Sequence, residues 1–242
     1  MEIITLDKVT KCYDKEYALK ELSLTVNQGE CLTVIGRSGC GKTTMLKLMN
    51  GLLLPDTGKV FVEGEDIHTA DLIALRRRIG YVIQNKGLFP HMTVEKNITY
   101  VPVISGKTNK AENHRLALEL LKQVGLEEEM ASRYPSELSG GQQQRVGIAR
   151  ALAAKPSIML MDEPFGALDE ITRQSMQDEL LRLKADLRLT IVFVTHDIRE
   201  AMKLGDRVLV MDAGEIVQLD TPERIKSFPA NDFVRGLLQA VG

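Results

Sequence analysis

Cys31-Leu32-Thr33-Val34-Ile35-Gly36-Arg37-Ser38-Gly39-Cys40-Gly41-Lys42-Thr43-Thr44 opens as an unbroken apolar and β-branched run and closes in a stretch of the form G-x-x-x-x-G-K-[ST]. The apolar part predicts a fully buried strand over Cys31 to Ile35, and a helical pattern follows from Thr44 to Leu52. Glycines let a loop between two such elements wrap closely, so that backbone N–H groups and the positive helix end face an anion. Lys42 can then reach the β- and γ-phosphates of a nucleotide while the Thr43 hydroxyl ligates magnesium. A thiol inside that loop, Cys40, predicts sensitivity to thiol reagents. The loop by itself suits a kinase, a GTPase or a motor equally.

Two further apolar runs resemble the first strand. Ile158 to Met161 ends in Asp162 and Glu163, an acid able to organise magnesium and a neighbour able to activate water. In isolation the same pair reads as a helix cap and a surface glutamate. Thr190 to Val194 is the third run, and His196 follows it. Buried strands alternating with helices predict a parallel sheet whose ligands collect at the carboxyl ends of the strands. Ahead of Cys31, Ile3 to Thr10 and Leu22 to Val26 alternate with a period of two, which predicts a smaller antiparallel sheet. From Leu88 to Lys155 strand signals vanish. Asn109 with Glu112 has capping-box spacing there, and Leu116, Leu120, Leu121 and Val124 share one helical face. Arg207 to Met211 and Glu215 to Leu219 flank Asp212-Ala213-Gly214 as a hairpin.

Composition narrows the function classes. The chain has 242 residues, and its 31 basic and 33 acidic residues nearly cancel, which argues against a nucleic-acid partner. Three cysteines, Cys12, Cys31 and Cys40, are too scattered for a disulfide framework or a zinc site and predict a reduced, cytosolic setting. The first residues carry no secretory pattern, and no run approaches the ~20 apolar residues of a membrane span. A membrane process would therefore need another chain to do the spanning.

Leu138-Ser139-Gly140-Gly141-Gln142 narrows the reading to one family. Ser139 and Gln142 have capping-box spacing ahead of a helix expected to reach Ala154, where Pro156 ends it, and the paired glycines open a second anion site. The motif resembles the signature of ABC ATPases, a resemblance that implies a clasp on the γ-phosphate of ATP held by an opposite subunit. In the family's order, Tyr13 matches the aromatic residue that stacks on adenine, Gln84 the Q-loop glutamine, Asp169 the D-loop aspartate and His196 the switch histidine. Taken singly, these four read as an edge-strand aromatic, a surface amide, a helix cap and a capping histidine.

The resemblance spans nearly the whole chain and is strongest to ATPases of osmoprotectant importers for glycine betaine, choline or carnitine. It rests on Gly36 to Gly41, on Gln84-Asn85-Lys86-Gly87-Leu88-Phe89-Pro90-His91 and on Pro164-Phe165-Gly166-Ala167-Leu168-Asp169-Glu170. Many members continue into paired regulatory CBS domains, whereas this chain stops at Gly242.

The resemblance implies an α/β fold: a RecA-like P-loop ATPase core (1–87 and 156–242) with an N-terminal antiparallel β subdomain and an inserted helical subdomain (88–155), all one ABC ATPase domain over 1–242. It implies a head-to-tail homodimer around two ATP and Mg2+. Tyr13, Gly36, Arg37, Ser38, Gly39, Cys40, Gly41, Lys42, Thr43, Thr44 and Gln84 of one copy would face Ser139, Gly140, Gly141, Gln142 and Asp169 of the other. Thr43, Gln84 and Asp162 would hold the metal, and Glu163, His196 and Lys42 would carry catalysis. A transmembrane permease docking near Gln84 to Met92, and through it a substrate-binding protein, would be the partners, at the cytoplasmic face of the cell membrane. Amino-acid or metal-ion importers and soluble ABC ATPases are the alternatives. Tandem cassettes or long insertions would mark the soluble class, and loss of Glu163 or His196 would mark a sensor that does not hydrolyse ATP.

Overall fold

In a computed structural model, residues 1–83, 87–106, 109–166 and 168–239 are described. The strands are β1 (Glu2–Tyr13), β2 (Glu16–Asn27), β3 (Cys31–Gly36), β4 (Thr57–Val62), β5 (Glu65–Asp66), β6 (Ile79–Val82), β7 (Ile158–Asp162), β8 (Thr190–Val194), β9 (Arg207–Asp212) and β10 (Glu215–Asp220). The α-helices are α1 (Lys42–Met49), α2 (Leu72–Arg78), α3 (Val94–Ile98), α4 (Tyr100–Ile104), α5 (Lys110–Gln123), α6 (Gly140–Leu152), α7 (Glu170–Leu187), α8 (Ile198–Leu204), α9 (Pro222–Ser227) and α10 (Asp232–Gln239).

Among the described residues the larger sheet runs β10-β9-β3-β8-β7-β6, with β9 to β6 parallel and β10 antiparallel at the edge. Alternation assigns each side chain to a face. Leu32, Val34, Ile158, Leu160, Val192, Val194, Leu209 and Met211 point toward α1 and the smaller sheet. Cys31, Met159, Met161, Ile191 and Phe193 point the other way, into the core shared with α5, α6 and α7. Burial on both faces is why these strands read as unbroken apolar runs. The register sets Asp162 beside Val194 and Gly36 beside Met211, so the ends of β3, β7 and β8 lie along one edge.

The smaller sheet, β2-β1-β4-β5, is antiparallel. Its first two strands are longer than the alternation marks, because β-bulges along the β1–β2 pairing carry it past breaks in the pattern. β4 and β5 come from beyond α1, and the sequence reading missed them, as it missed β6 at the edge of the large sheet. β5 and β6 are short, and β4 is exposed over its first half, which removes the periodic signal. The β9–β10 hairpin matches expectation: Ala213 and Gly214 have φ 47° and 83°, the left-handed pair of a two-residue turn.

Helix limits shift for local reasons. α1 begins at Lys42 rather than Thr44, since left-handed Gly41 (φ 102°) is its N-cap, and it ends at Met49 ahead of left-handed Gly51. α6 stops at Leu152, short of Ala154, and left-handed Lys155 (φ 52°) turns the chain into Pro156. Both expected capping boxes form, at Asn109/Glu112 and Ser139/Gln142. Between 88 and 155 the described residues hold helices and turns.

One buried amide fixes the start of that stretch. Asn97 Nδ2 donates to the carbonyls of Phe89, Met92 and Thr93, while its Oδ1 accepts from Phe89 N–H at 2.7 Å. Asn97 is fully buried, so its removal strands several backbone groups. Asn97→Ala is expected to cost about 2–3 kcal/mol of stability, read as a lowered urea midpoint at unchanged slope.

Candidate nucleotide site at the carboxyl edge of the sheet

The phosphate loop is pressed into shape from two sides. A side chain at Gly36 would overlap the Met211 carbonyl, and one at Gly41 would overlap the Ala18 carbonyl and Leu19 of β2. Both glycines therefore serve close approach as well as turning. Lys42 is buried, and its Nζ donates to the carbonyls of Gly36 (2.8 Å) and Arg37 (3.0 Å). The ammonium is thus held inside the loop it serves. Arg37, Ser38 and Gly39 are exposed at the rim, with Thr43 exposed and Thr44 partly covered on the first turn of α1.

Cys40 departs from expectation. Its side chain is 4% exposed and packs into the core under the smaller sheet, with Sγ 3.9 Å from Lys42 Nζ. Burial pushes the thiol up from its ordinary range, and the nearby lysine opposes this only in part. A buried, protonated thiol reacts slowly, so the expected reagent sensitivity is reversed.

Across the edge, Thr43 Oγ1 donates to Asp162 Oδ1 at 3.3 Å. Burial raises the Asp162 carboxyl above the usual carboxylate range; the Thr43 hydroxyl pulls it back, and the charge of Glu163 pushes it further up. Glu163 takes the left-handed region (φ 45°), which costs a non-glycine residue about 1 kcal/mol. Its N–H donates to Val194 O at 2.9 Å, and buried Phe165 stacks at 5.4 Å on Phe193 of β8, so packing maintains the strained turn. His196 Nδ1 lies 3.2 Å from Glu163 Oε2. The structure therefore unites Lys42, Thr43, Asp162, Glu163 and His196 along one edge.

A network the sequence did not reveal stands behind His196. Buried Glu200 accepts from Thr195 Oγ1 (2.5 Å) and Gln177 Nε2 (3.3 Å), and Arg173 lies 3.7 Å from both Glu200 and Asp197. Arg173 also donates to the carbonyl of Leu168, beside Asp169. Burial raises the Glu200 carboxyl. In sequence these are ordinary polar residues of two helices and of the turn between β8 and α8, so no local signal distinguishes them.

Ser139, Gly140, Gly141 and Gln142 line a second hollow of about 460 Å³ together with Leu168, Asp169 and Arg145. Among the described residues, none of the phosphate loop lines it. Ser139 Oγ accepts from Gln142 N–H, which leaves the hydroxyl proton for another acceptor. Asp169 caps α7 by accepting from Thr172 N–H at 3.0 Å, as its isolated reading anticipated. Tyr13 is 45% exposed at the tip of the β1–β2 hairpin. Gln84 lies outside the described residues, as do Asn85, Lys86 and Ala167. Just past them Gly87 O accepts from Arg150 Nη1 at 2.6 Å, and Phe89 stacks on Tyr100 with ring centres 4.7 Å apart.

Residues 19–166 match the family described as ABC transporter. The chain belongs to the ABC transporter family. The cassette is 52% identical over 233 residues to the choline transport ATP-binding protein OpuBA of Bacillus subtilis, covering 96% of this chain and 61% of the relative. It is 51% identical to the carnitine transport ATP-binding protein OpuCA of Listeria monocytogenes, covering 98% and 59%. Against the glycine betaine uptake system ATP-binding protein YehX of Escherichia coli the identity is 47%, covering 96% and 75%. The chain thus spans 61% and 59% of the length of the first two. Among solved structures, a dimeric post-hydrolysis ATP-binding cassette bound to ADP and Pi superposes with a TM-score of 0.85 at 37% identity, covering 91% of this chain and 99% of that one. The cassette accordingly has the RecA-like P-loop α/β fold.

Alkylation tests the reversal at Cys40. At neutral pH, half-exposed Cys12 is expected to react at least about tenfold faster than buried Cys40 and Cys31, as followed by peptide mass spectrometry.

Proposed function

We propose that this chain binds and hydrolyses ATP as the motor subunit of an ABC importer. Two copies would enclose two nucleotides, and a separate transmembrane permease would carry a quaternary-amine osmoprotectant. The observation that carries the reading is the shared edge of β3, β7 and β8, where an anion cradle with its lysine meets a hydroxyl–carboxylate pair and a glutamate–histidine pair. A cradle alone would bind nucleotide; the second pair supplies the means to attack it.

Lys42 would exchange its loop carbonyls for the β- and γ-phosphates. Thr43 and Asp162 offer hard oxygen donors already 3.3 Å apart, a set that fits magnesium, which habitually takes one or two protein oxygens and fills its shell with phosphate and water. Bound there, the ion would neutralise phosphate charge. Glu163 would orient and deprotonate the attacking water, and His196, against the same carboxylate, would hold that geometry at the γ-phosphate. The hollow of Ser139, Gly140, Gly141, Gln142 and Asp169 would receive the γ-phosphate side of a nucleotide held by the opposite copy. Two separate sites on one chain suit such a head-to-tail pairing, in which each copy completes the other's site. Tyr13 would stack on adenine, and Gln84 would reach the metal.

Division into a core (1–87 and 156–242) and a helical subdomain (88–155) belongs to the same reading. So does docking of the permease beside Leu88 and Phe89, with a substrate-binding protein acting through it. Among the described residues no helix is long and apolar enough to cross a membrane. We therefore place the chain peripherally on the cytoplasmic face of the membrane, held by the permease. The substrate class rests on relatives described as choline, carnitine and glycine betaine transport proteins.

Two variants separate the roles. Lys42→Ala is expected to weaken ATP binding in calorimetric titration. Glu163→Gln should bind ATP normally, form a stable dimer on size exclusion and lose about 100-fold or more in kcat. A Glu163→Gln protein that stays monomeric in saturating ATP excludes the sandwich.

A further inference from the structure

The C-terminal helix reaches the phosphate loop. α10 buries Val234 in a cluster with Ile35, Val208, Val210 and Ile225, and Phe233, Leu237 and Leu238 pack against the same cluster. Ile35 is the last β3 residue before Gly36, so α10 braces the strand that launches the loop. Phe233 goes one step further: the Arg37 guanidinium carbon lies 4.7 Å from its ring centre, within cation–π range. Arg37 Nη1 is also 3.9 Å from Asp212 Oδ2 at the β9–β10 turn.

The backbone of this same arginine shapes the cradle. Arg37 O accepts from Lys42 Nζ at 3.0 Å and from Cys40 N–H at 3.3 Å. A residue whose carbonyl gathers the phosphate-binding lysine and a loop amide is thus pinned at its exposed end by an aromatic face and a carboxylate.

We propose that Phe233 is a positioning residue for nucleotide binding, clamping Arg37 so that the phosphate loop is preorganised. Asp212 is the second jaw. This rests on the nucleotide reading above and adds a residue that lies outside every phosphate-binding and hydrolytic motif. Because Phe233 bears on the loop arginine and on the strand that launches the loop, its contribution falls on binding rather than on the chemical step.

Phe233→Leu keeps apolar packing on the cluster and removes the π face, while Phe233→Trp restores a stronger one. ATP binding is measured by calorimetry, KM and kcat by phosphate release, and folding by the thermal midpoint. We expect Phe233→Leu to weaken ATP binding and raise KM about two- to fivefold, with kcat within about twofold and the thermal midpoint close to wild type. Phe233→Trp should bind at least as tightly as wild type. In a double-mutant cycle, Phe233→Leu combined with Arg37→Ala should be no worse than Arg37→Ala alone, since one contact can be lost only once. Unchanged ATP affinity in a folded Phe233→Leu protein, losses that multiply with Arg37→Ala, or kcat falling in step with binding would each overturn the clamp while leaving the nucleotide reading intact. A wild-type protein that binds no ATP would remove both.

Discussion

A buried ammonium group must find oxygen acceptors, and this one finds two backbone carbonyls of its own loop. Lys42 turns inward onto Gly36 and Arg37, and that demand organises much of the surrounding structure. The carbonyls converge because Gly36 and Gly41 let the chain pass within contact of Met211 and Ala18, positions no side chain could occupy. Those neighbours belong to the hairpin at one edge of the large sheet and to a strand of the smaller one. The phosphate loop is therefore where the two sheets meet, and its shape is a property of their packing.

The acidic side of the site obeys a different constraint. Asp162 and Glu163 are consecutive, and ordinary strand alternation would send them to opposite faces. Ending β7 at Asp162 and turning Glu163 into the left-handed region lets both face the edge, one toward Thr43 and the other toward His196. Phe165 against Phe193 and the Glu163 N–H on Val194 hold that turn. The strain thus sits beneath the residue proposed to activate water, which is where backbone strain tends to accumulate.

Behind this edge, Arg173, Gln177, Thr195 and Glu200 tie the start of α7 to the segment carrying His196. Asp169 borders the second hollow and His196 faces Glu163, so one buried network reaches toward both. Glu200 is hydrogen-bonded within this network, while Arg173 Nε stands 3.7 Å from it, an ion-pair rather than a hydrogen-bond distance.

The sequence by itself determined the phosphate loop, the three central strands, the two capping boxes and the β9–β10 turn. Each is a local matter: a glycine where the backbone must be left-handed, an oxygen three residues from an orphan N–H, an apolar run where both faces are covered. It also carried the family, through motifs in fixed order. Tertiary structure alone decided the rest. β4 and β6 form by pairing with β1 and β7, since the half-exposed pattern of β4 and the four residues of β6 do not announce them. Cys40, expected to be sensitive to thiol reagents, is a core residue because it packs into the cluster under the smaller sheet. The contacts of Arg37 with Phe233 and of Glu200 with Gln177 join residues distant in sequence or in different helices. Such pairings leave no periodic trace, because they are set by which elements pack together and not by what either segment prefers alone.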